Sequence, residues 1–320
     1  TPCGTLFPYT TLFRSDRGLA RKRFLIFFAY LGAAMTAALF LIEKGQWAFA
    51  IFIYAMGVIG FSGANVFYDS LLPKVAKENN IDFISSLGFS LGYLGGGLLF
   101  LVNVLMATMP EKFGFSDNSS AVRFCFLTVA VWWGAFTVFT IIWVPEDRTG
   151  ISGVKKGRLV SEGFRQFAVT FKKVRHLKTV FLFLAAYWFY IDGVGTIIKM
   201  AVDYGLSLGF SSTDLITALL IVQFVAFPSA LGFAKLGGWI GIKNAIFMGI
   251  GVYLIVTLYA TQMTNQKEFY ILAIAIGLVQ GGIQALSRSY YSRLIPSKQS
   301  GEFYGFYNML GKFAAILGPA

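Results

Sequence analysis

The sequence predicts an all-α polytopic membrane protein, and three observations predict it. Of 320 residues, 56% are hydrophobic and only 13% are charged, and the mean hydropathy is +0.67. A water-soluble domain carries about 25% charged residues, so too little polar surface exists here to coat a globule. The apolar residues also arrive in runs of about 20, the length at which a helix crosses about 30 Å of hydrocarbon. β-Barrel spans are about half that length and alternate in polarity. Disorder, collagen-like repeats, disulfide scaffolds and soluble nucleotide-binding domains are excluded on the same numbers.

Nine apolar segments follow one another, at 24–42, 48–69, 84–106, 122–143, 179–201, 214–234, 244–261, 269–288 and 303 to the end. Residues 1–15 have neither an amphipathic pattern nor the charged start and apolar core of a signal peptide. They resemble translated adapter sequence and are set apart as a non-native leader. The chain stops at Gly318-Pro319-Ala320 while still in an apolar helical run, the pattern expected of an internal piece of a longer protein.

The net charge of +12 would suggest nucleic acid in a soluble chain; here topology explains it. Lys and Arg collect in cytoplasmic loops. With the stretch Arg17–Arg23 inside, alternate loops hold 21 of the 27 basic residues. The expected setting is a membrane with the basic loops cytoplasmic. Organisation then reads as a half at 16–144, a basic linker at 145–178 and a second half at 179–320. In the linker, Phe164, Phe167, Ala168, Phe171 and Val174 recur at helical spacing, with Arg165, Lys172, Lys173 and Arg175 largely on other faces. An amphipathic helix over Arg158–Lys178 is expected on anionic lipid of the inner leaflet; a solvated linker helix is the alternative.

Two stretches repeat. Gly63 to Pro73 and Gly282 to Pro296 each end a span in Leu-Leu-Pro or Leu-Ile-Pro, and Gly88-Phe89 and Gly305-Phe306 open the spans that follow. The two prolines lie 223 residues apart, the period of a transporter built from two six-span halves.

Specific motifs carry a resemblance. Asp16-Arg17-Gly18 before Arg21-Lys22-Arg23 looks like the rest of the major facilitator loop between spans two and three. The stretches Gly63–Pro73, Gly92–Gly97, Tyr190–Val194, Gln223–Pro228, Gln280–Ser289 and Gly305–Asn308 resemble one branch of that superfamily. This is the bacterial group similar to the fungal vacuolar amino-acid effluxers of autophagy. The resemblance implies the major facilitator fold, with spans 3–11 of twelve in this chain. It implies that spans 4, 7 and 10 line a cavity and that 3, 6 and 9 face lipid. In the second-half counterpart of the loop, Ala234–Lys243, Gly238 and Trp239 stand where the motif usually has Asp and Arg, so locking by charge is doubtful there.

Polar residues in hydrocarbon are costly and usually face a cavity. Span 4 carries Asn65 and Asp69, span 7 Asp192 and Lys199, and span 10 Gln280, Gln284 and Arg288, while spans 3, 6 and 9 carry no interior charge. Asp192 stands midway along its span beside Gly193 and Gly195, which would loosen the helix and let a ligand approach. A carboxylate there could carry a proton or meet a substrate ammonium; satisfaction by neighbouring hydroxyls is the alternative. Gln223, Gln280 and Gln284 could bond a polar solute or join helices. Lys199, near the outer end, reads as snorkelling to the interface. Asp69 and Arg288 read as separate interfacial charges rather than a gating pair. Gly92, Gly95, Gly96 and Gly97 read as close-packing positions.

The expected function is secondary active transport of a small polar solute by alternating access, with a proton gradient as driver. Amino acids are the substrate class the resemblance implies. A receptor that binds such a solute without moving it is the alternative. An enzyme ranks last: there is one histidine, no clustered nucleophile and base, and no nucleotide loop. No cofactor or metal is expected.

Overall fold

The computed structural model describes residues 21–144, 169–296 and 299–317. Every long element in them is a helix: α1 (Arg21–Ala38), α2 (Trp47–Val75), α3 (Ile81–Thr108), α4 (Asn118–Trp143), a short α5 (169–176), α6 (Lys178–Ser207), α7 (Ser212–Ile240), α8 (Ile242–Ala260), α9 (Gln266–Leu294) and α10 (Ser300–Leu317). In hydrocarbon no water satisfies a backbone amide, so a single chain crosses by closing its own bonds as a helix. Eight of the nine expected spans are long and apolar enough to cross a membrane, the first running Arg21–Leu41. The ninth, α10, is a helix diluted by Glu302, Asn308 and Lys312.

Helices extend beyond the apolar runs, because their ends reach water where polar residues are tolerated. Span 7 runs on to Ser207 past Asp203. Pro73 does not stop its helix, which continues to Val75; a proline two residues from the end sacrifices a single backbone bond. The expected loop Ala234–Lys243 is also mostly helical. It narrows to Gly241, whose φ of +87° turns the chain directly from α7 into α8. Asp117 caps α4, accepting from the Ser120 amide at 2.6 Å. That Ser120 hydroxyl and amide hold the Asp117 carboxyl below its usual range.

The chain divides into two compact units that cut across the sequence halves. One holds the described residues up to Val75, those from Val102 to Lys178, and Ile295–Met309. The other holds Ala76–Leu101, Thr179–Leu294 and the residues from Leu310. In the first, α1 packs on α2 and α4. The rings of Phe24 and Phe28 stack on Phe67 at 5.4 and 5.9 Å, and Gly60 leaves room for the Gly32 backbone. In the second, α9 packs on α7 and α8, around Ile283, Leu286, Val279 and Phe233.

The described part of the linker, α5, docks on protein. Thr170 donates to Glu302 at 2.7 Å, Lys173 donates to Gln299 at 3.2 Å, and Phe171 stacks on Phe306. Residues 158–168, with Phe164 and Phe167, lie outside the described residues.

Candidate functional site

The polar residues of the apolar helices fall into two sets, one in each unit. In the unit built on α6–α9, the first two thirds of α3 runs antiparallel to α7 and α9. Near the N-terminal end of α3, the Ser85 hydroxyl donates to the Ala285 carbonyl at 2.8 Å. Arg288 donates to the Ser85 hydroxyl at 3.0 Å and to its carbonyl at 2.9 Å. The same guanidinium lies 4.6 Å over the Phe89 ring, and Arg293 pairs with Asp82. Further along, Ser90 donates to the Phe227 carbonyl at 2.7 Å. A Cβ on Gly97 would sit 3.2 Å from Gln223. One face of α3 thus meets α9 and then α7 in order.

The other unit holds a counterpart. Asn308 of α10 donates to Asp69 of α2 at 3.0 Å. Arg21 donates to the Ser300 hydroxyl at 2.8 Å and to the Ser70 carbonyl at 3.3 Å. The 223-residue offset between Pro73 and Pro296 also relates Ser85 to Asn308. In each unit, therefore, the helix after the proline meets polar groups on the end of a long helix from the opposite sequence half.

Asp69 and Arg288 are buried, at 9% and 4% exposure, and so are not exposed charges at an interface. A buried charge needs hydrogen-bond partners to offset its desolvation, and serine, asparagine and an aromatic face supply them. Asn65, Asp192, Gln223, Gln280 and Gln284 are half-buried, and Lys199 is exposed. Lys22 donates to the Ile141 and Val144 carbonyls at 2.7 and 2.6 Å, closing the C-terminus of α4 as a cation suits a helix dipole. Asp16, Arg17 and Gly18 lie outside the described residues.

Asp192 stands at the middle of an unbroken α6. Gly193 and Gly195 do not loosen that helix; a Cβ on either would meet nothing within 4 Å, so open space adjoins the backbone there. Among the glycines of α3, Gly92 and Gly96 face open space rather than packing closely, whereas Gly97 meets Gln223 and Phe224. Two residues before Asp192, the Tyr190 hydroxyl lies 2.6 Å from that of Ser287 on α9. Ser287 already donates to the Ile283 carbonyl, so Tyr190 is the donor. Sequence reasoning passed over Tyr190, Ser287 and Ser85. Of these, only Ser287 stands at helical spacing from amides, Gln280 and Gln284 on the same helix. Among the described residues, no group of three or more His, Cys, Asp or Glu could hold a metal ion.

The profile of the family described as vacuole effluxer Atg22 like matches residues 13–320. The chain belongs to that family. Among its curated relatives, the uncharacterized MFS-type transporter YxiO of Bacillus subtilis (strain 168) is 42% identical over 300 residues, covering 93% of this chain and 69% of that protein. Autophagy-related protein 22 of Yarrowia lipolytica (strain CLIB 122 / E 150) is 24% identical, covering 95% of this chain and 65% of that one. The chain thus spans about two thirds of the length of these Atg22-like relatives. Among solved structures, the proton:xylose symporter XylE bound to 6-bromo-6-deoxy-D-glucose aligns with a TM-score of 0.70 at 14% identity, over 99% of this chain and 75% of that one. A bacterial homologue of the iron transporter ferroportin aligns at 0.61 and 13%, over 99% and 79%. This Atg22-like chain has the major facilitator fold and is an integral membrane protein.

Proposed function

We propose that this protein is a secondary active transporter that moves a small polar solute, with amino acids as the substrate class, across a bacterial inner membrane by alternating access. One observation carries the reading: Asp192 stands half-buried at the middle of α6 with open space at the adjoining glycines, on the helix that the Tyr190–Ser287 bond joins to α9. Intramembrane acids are expensive to keep and usually serve transport. Family membership supports a permease rather than an enzyme. The fold shared with a proton:xylose symporter supports proton coupling, with Asp192 as the carrier. Asn65, Gln223, Gln280 and Gln284 supply neutral hydrogen bonds along the path, and Lys199 snorkels to the outer interface. The basic loops lie in the cytoplasm, where the Arg158–Lys178 segment meets anionic lipid.

The test is flux of a radiolabelled amino-acid panel in proteoliposomes under an imposed proton gradient. Asp192→Asn is expected to abolish uphill accumulation while keeping exchange of labelled for unlabelled solute. Full uphill accumulation by that variant would remove the carrier role. Absence of flux for every solute, with saturable binding retained, would favour a receptor.

A further inference from the structure

Two tyrosine hydroxyls hold the C-terminal half of α6 to its neighbours. Tyr190 bonds Ser287 of α9, and Tyr204 donates to the Ala260 carbonyl of α8 at 2.6 Å. The two tyrosines stand about 20 Å apart along the helix. Behind that stretch, between α6 and the packed set α7–α9, lies a cavity of about 170 Å³. Ile197 and Ala201 of α6, Ala218 and Val222 of α7, and Leu272 and Ile276 of α9 are among its walls. On α9 the lining runs from Phe269 to Ile276, about 10 Å of helix.

The lining limits what can fill this space. Of the described lining residues, only Tyr204 and Thr257 carry a side-chain oxygen or nitrogen, and both hydroxyls are spent. Tyr204 is bonded to Ala260, and Thr257 donates to the Tyr253 carbonyl at 2.8 Å. A buried water needs two to four polar partners, and a polar solute would find nothing to replace its hydration. Apolar cavities of about 150 Å³ stay dry and take up benzene or xenon instead. The occupant is therefore hydrocarbon. A helix is about 10–12 Å across, too wide to enter, whereas a single alkyl chain fits.

The route of entry is lateral. Toward the loops at 208–211 and 261–265 the cavity ends on Met263 and Phe269, which are themselves buried. The Phe210 ring packs on Phe269 at 5.4 Å, and Asp214 at the start of α7 accepts from Gln266 and Tyr270 at the start of α9. The lining reaches the surface instead at Met200 of α6 and Thr257 of α8, both exposed. Thr257 stands among Leu254, Ile255 and Leu258, which turn outward. An outward apolar surface on a membrane span meets acyl chains, so the cavity is continuous with the lipid interface of α8.

We propose that this cavity is a lipid site, which takes one acyl chain of a membrane phospholipid entering sideways past Met200 and Thr257. The chain fills the space that the two tyrosine bonds leave behind α6. The site is separate from the polar path and holds whatever solute the protein moves.

The test uses the protein in phospholipid vesicles containing a phosphatidylcholine with a diazirine on its acyl chain. Light turns the diazirine into a carbene that inserts into neighbouring C–H bonds, and peptide mass spectrometry reads the positions. Leu258, 69% exposed, reports ordinary contact with lipid; Leu272, a wall residue 7% exposed, reports a chain inside. Both are expected to be labelled in wild type. Ala218→Leu fills the cavity and should cut the label on Leu272 several-fold while leaving that on Leu258 unchanged. Ala273→Leu fills it from α9 and serves if Ala218→Leu does not fold; the wild-type comparison needs neither. Label on Leu258 with none on Leu272 would mean that protein closes the space, and overturns the proposal. Label on Leu272 undiminished in a folded filling variant overturns it equally, because the chain would not be seated in the cavity.

Discussion

α4 and α9 have almost the same hydropathy, 2.0 and 1.8 over their most apolar stretches, yet 11% of the first stretch is buried and 61% of the second. In a water-soluble protein the more apolar helix would be the more buried. Here α4 presents Val131, Phe136, Phe139 and Ile142 outward, while α9 buries the small residues Ala273, Gly277, Gly281, Gly282 and Ala285 within its apolar stretch and Ser287, Arg288, Ser289 and Ser292 just beyond it. The inversion follows from the solvent. Hydrocarbon is as apolar as leucine, so burying leucine gains little, whereas burying a serine or an arginine rescues it from lipid. Association of these helices rests on polar contacts and on close approach of small residues.

The sharpest way to break this contrast is to give α4 what α9 tolerates. Val131 is 70% exposed, so Val131→Arg places a guanidinium against acyl chains. Insertion is expected to weaken by about 2.5–3.5 kcal/mol, measured as the membrane-integrated fraction after synthesis, while Val131→Leu integrates like wild type. Normal integration of the arginine variant would mean that this face of α4 does not meet lipid. A smaller effect separates the two helices by packing. A Cβ on Gly282 of α9 would come within 2.1 Å of Phe233, which is itself buried, whereas one on Gly134 of α4 would find its nearest atom, on Tyr30, at an ordinary 3.7 Å. Gly282→Ala should therefore cost about 1–3 kcal/mol of stability in a detergent unfolding assay. Gly134→Ala should cost nothing or gain slightly, because alanine is the better helix former.

Which helices exist was legible from the sequence, because a run of about 20 apolar residues has few other uses. Their ends were not: Asp203 and Lys235 look like loop residues in a hydropathy reading, but a helix can carry them once it leaves the hydrocarbon. Among site residues, Asp192, Gln280 and Arg288 stood out because a charge or amide inside an apolar run is rare. Tyr190, Tyr204 and Ser85 did not, since tyrosine and serine are ordinary in membrane helices and only their neighbours make them significant. The glycines of α3 show the limit most clearly. Gly92, Gly96 and Gly97 look equivalent along the chain, yet only Gly97 meets another helix. Which face of a helix is occupied depends on the partner's rotation, and no local pattern records it.

The smallest expected effect concerns the bond that joins α6 to α9. An interhelical hydrogen bond in a membrane protein contributes about 0.6 kcal/mol on average, because the unfolded helix in the bilayer also finds partners. Tyr190→Phe should therefore lower the melting temperature by about 1–2 °C. Ser287→Ala should do the same, since it removes the acceptor while the Ile283 carbonyl keeps its helical partner. The decisive measurement is the double variant. If the 2.6 Å contact is the source of both losses, the second substitution adds almost nothing to the first, because the bond can be lost only once. Fully additive losses would show that the two hydroxyls act separately. The polar side of α9 would then be joined to α6 by packing alone, as the apolar side of α4 is joined to its neighbours.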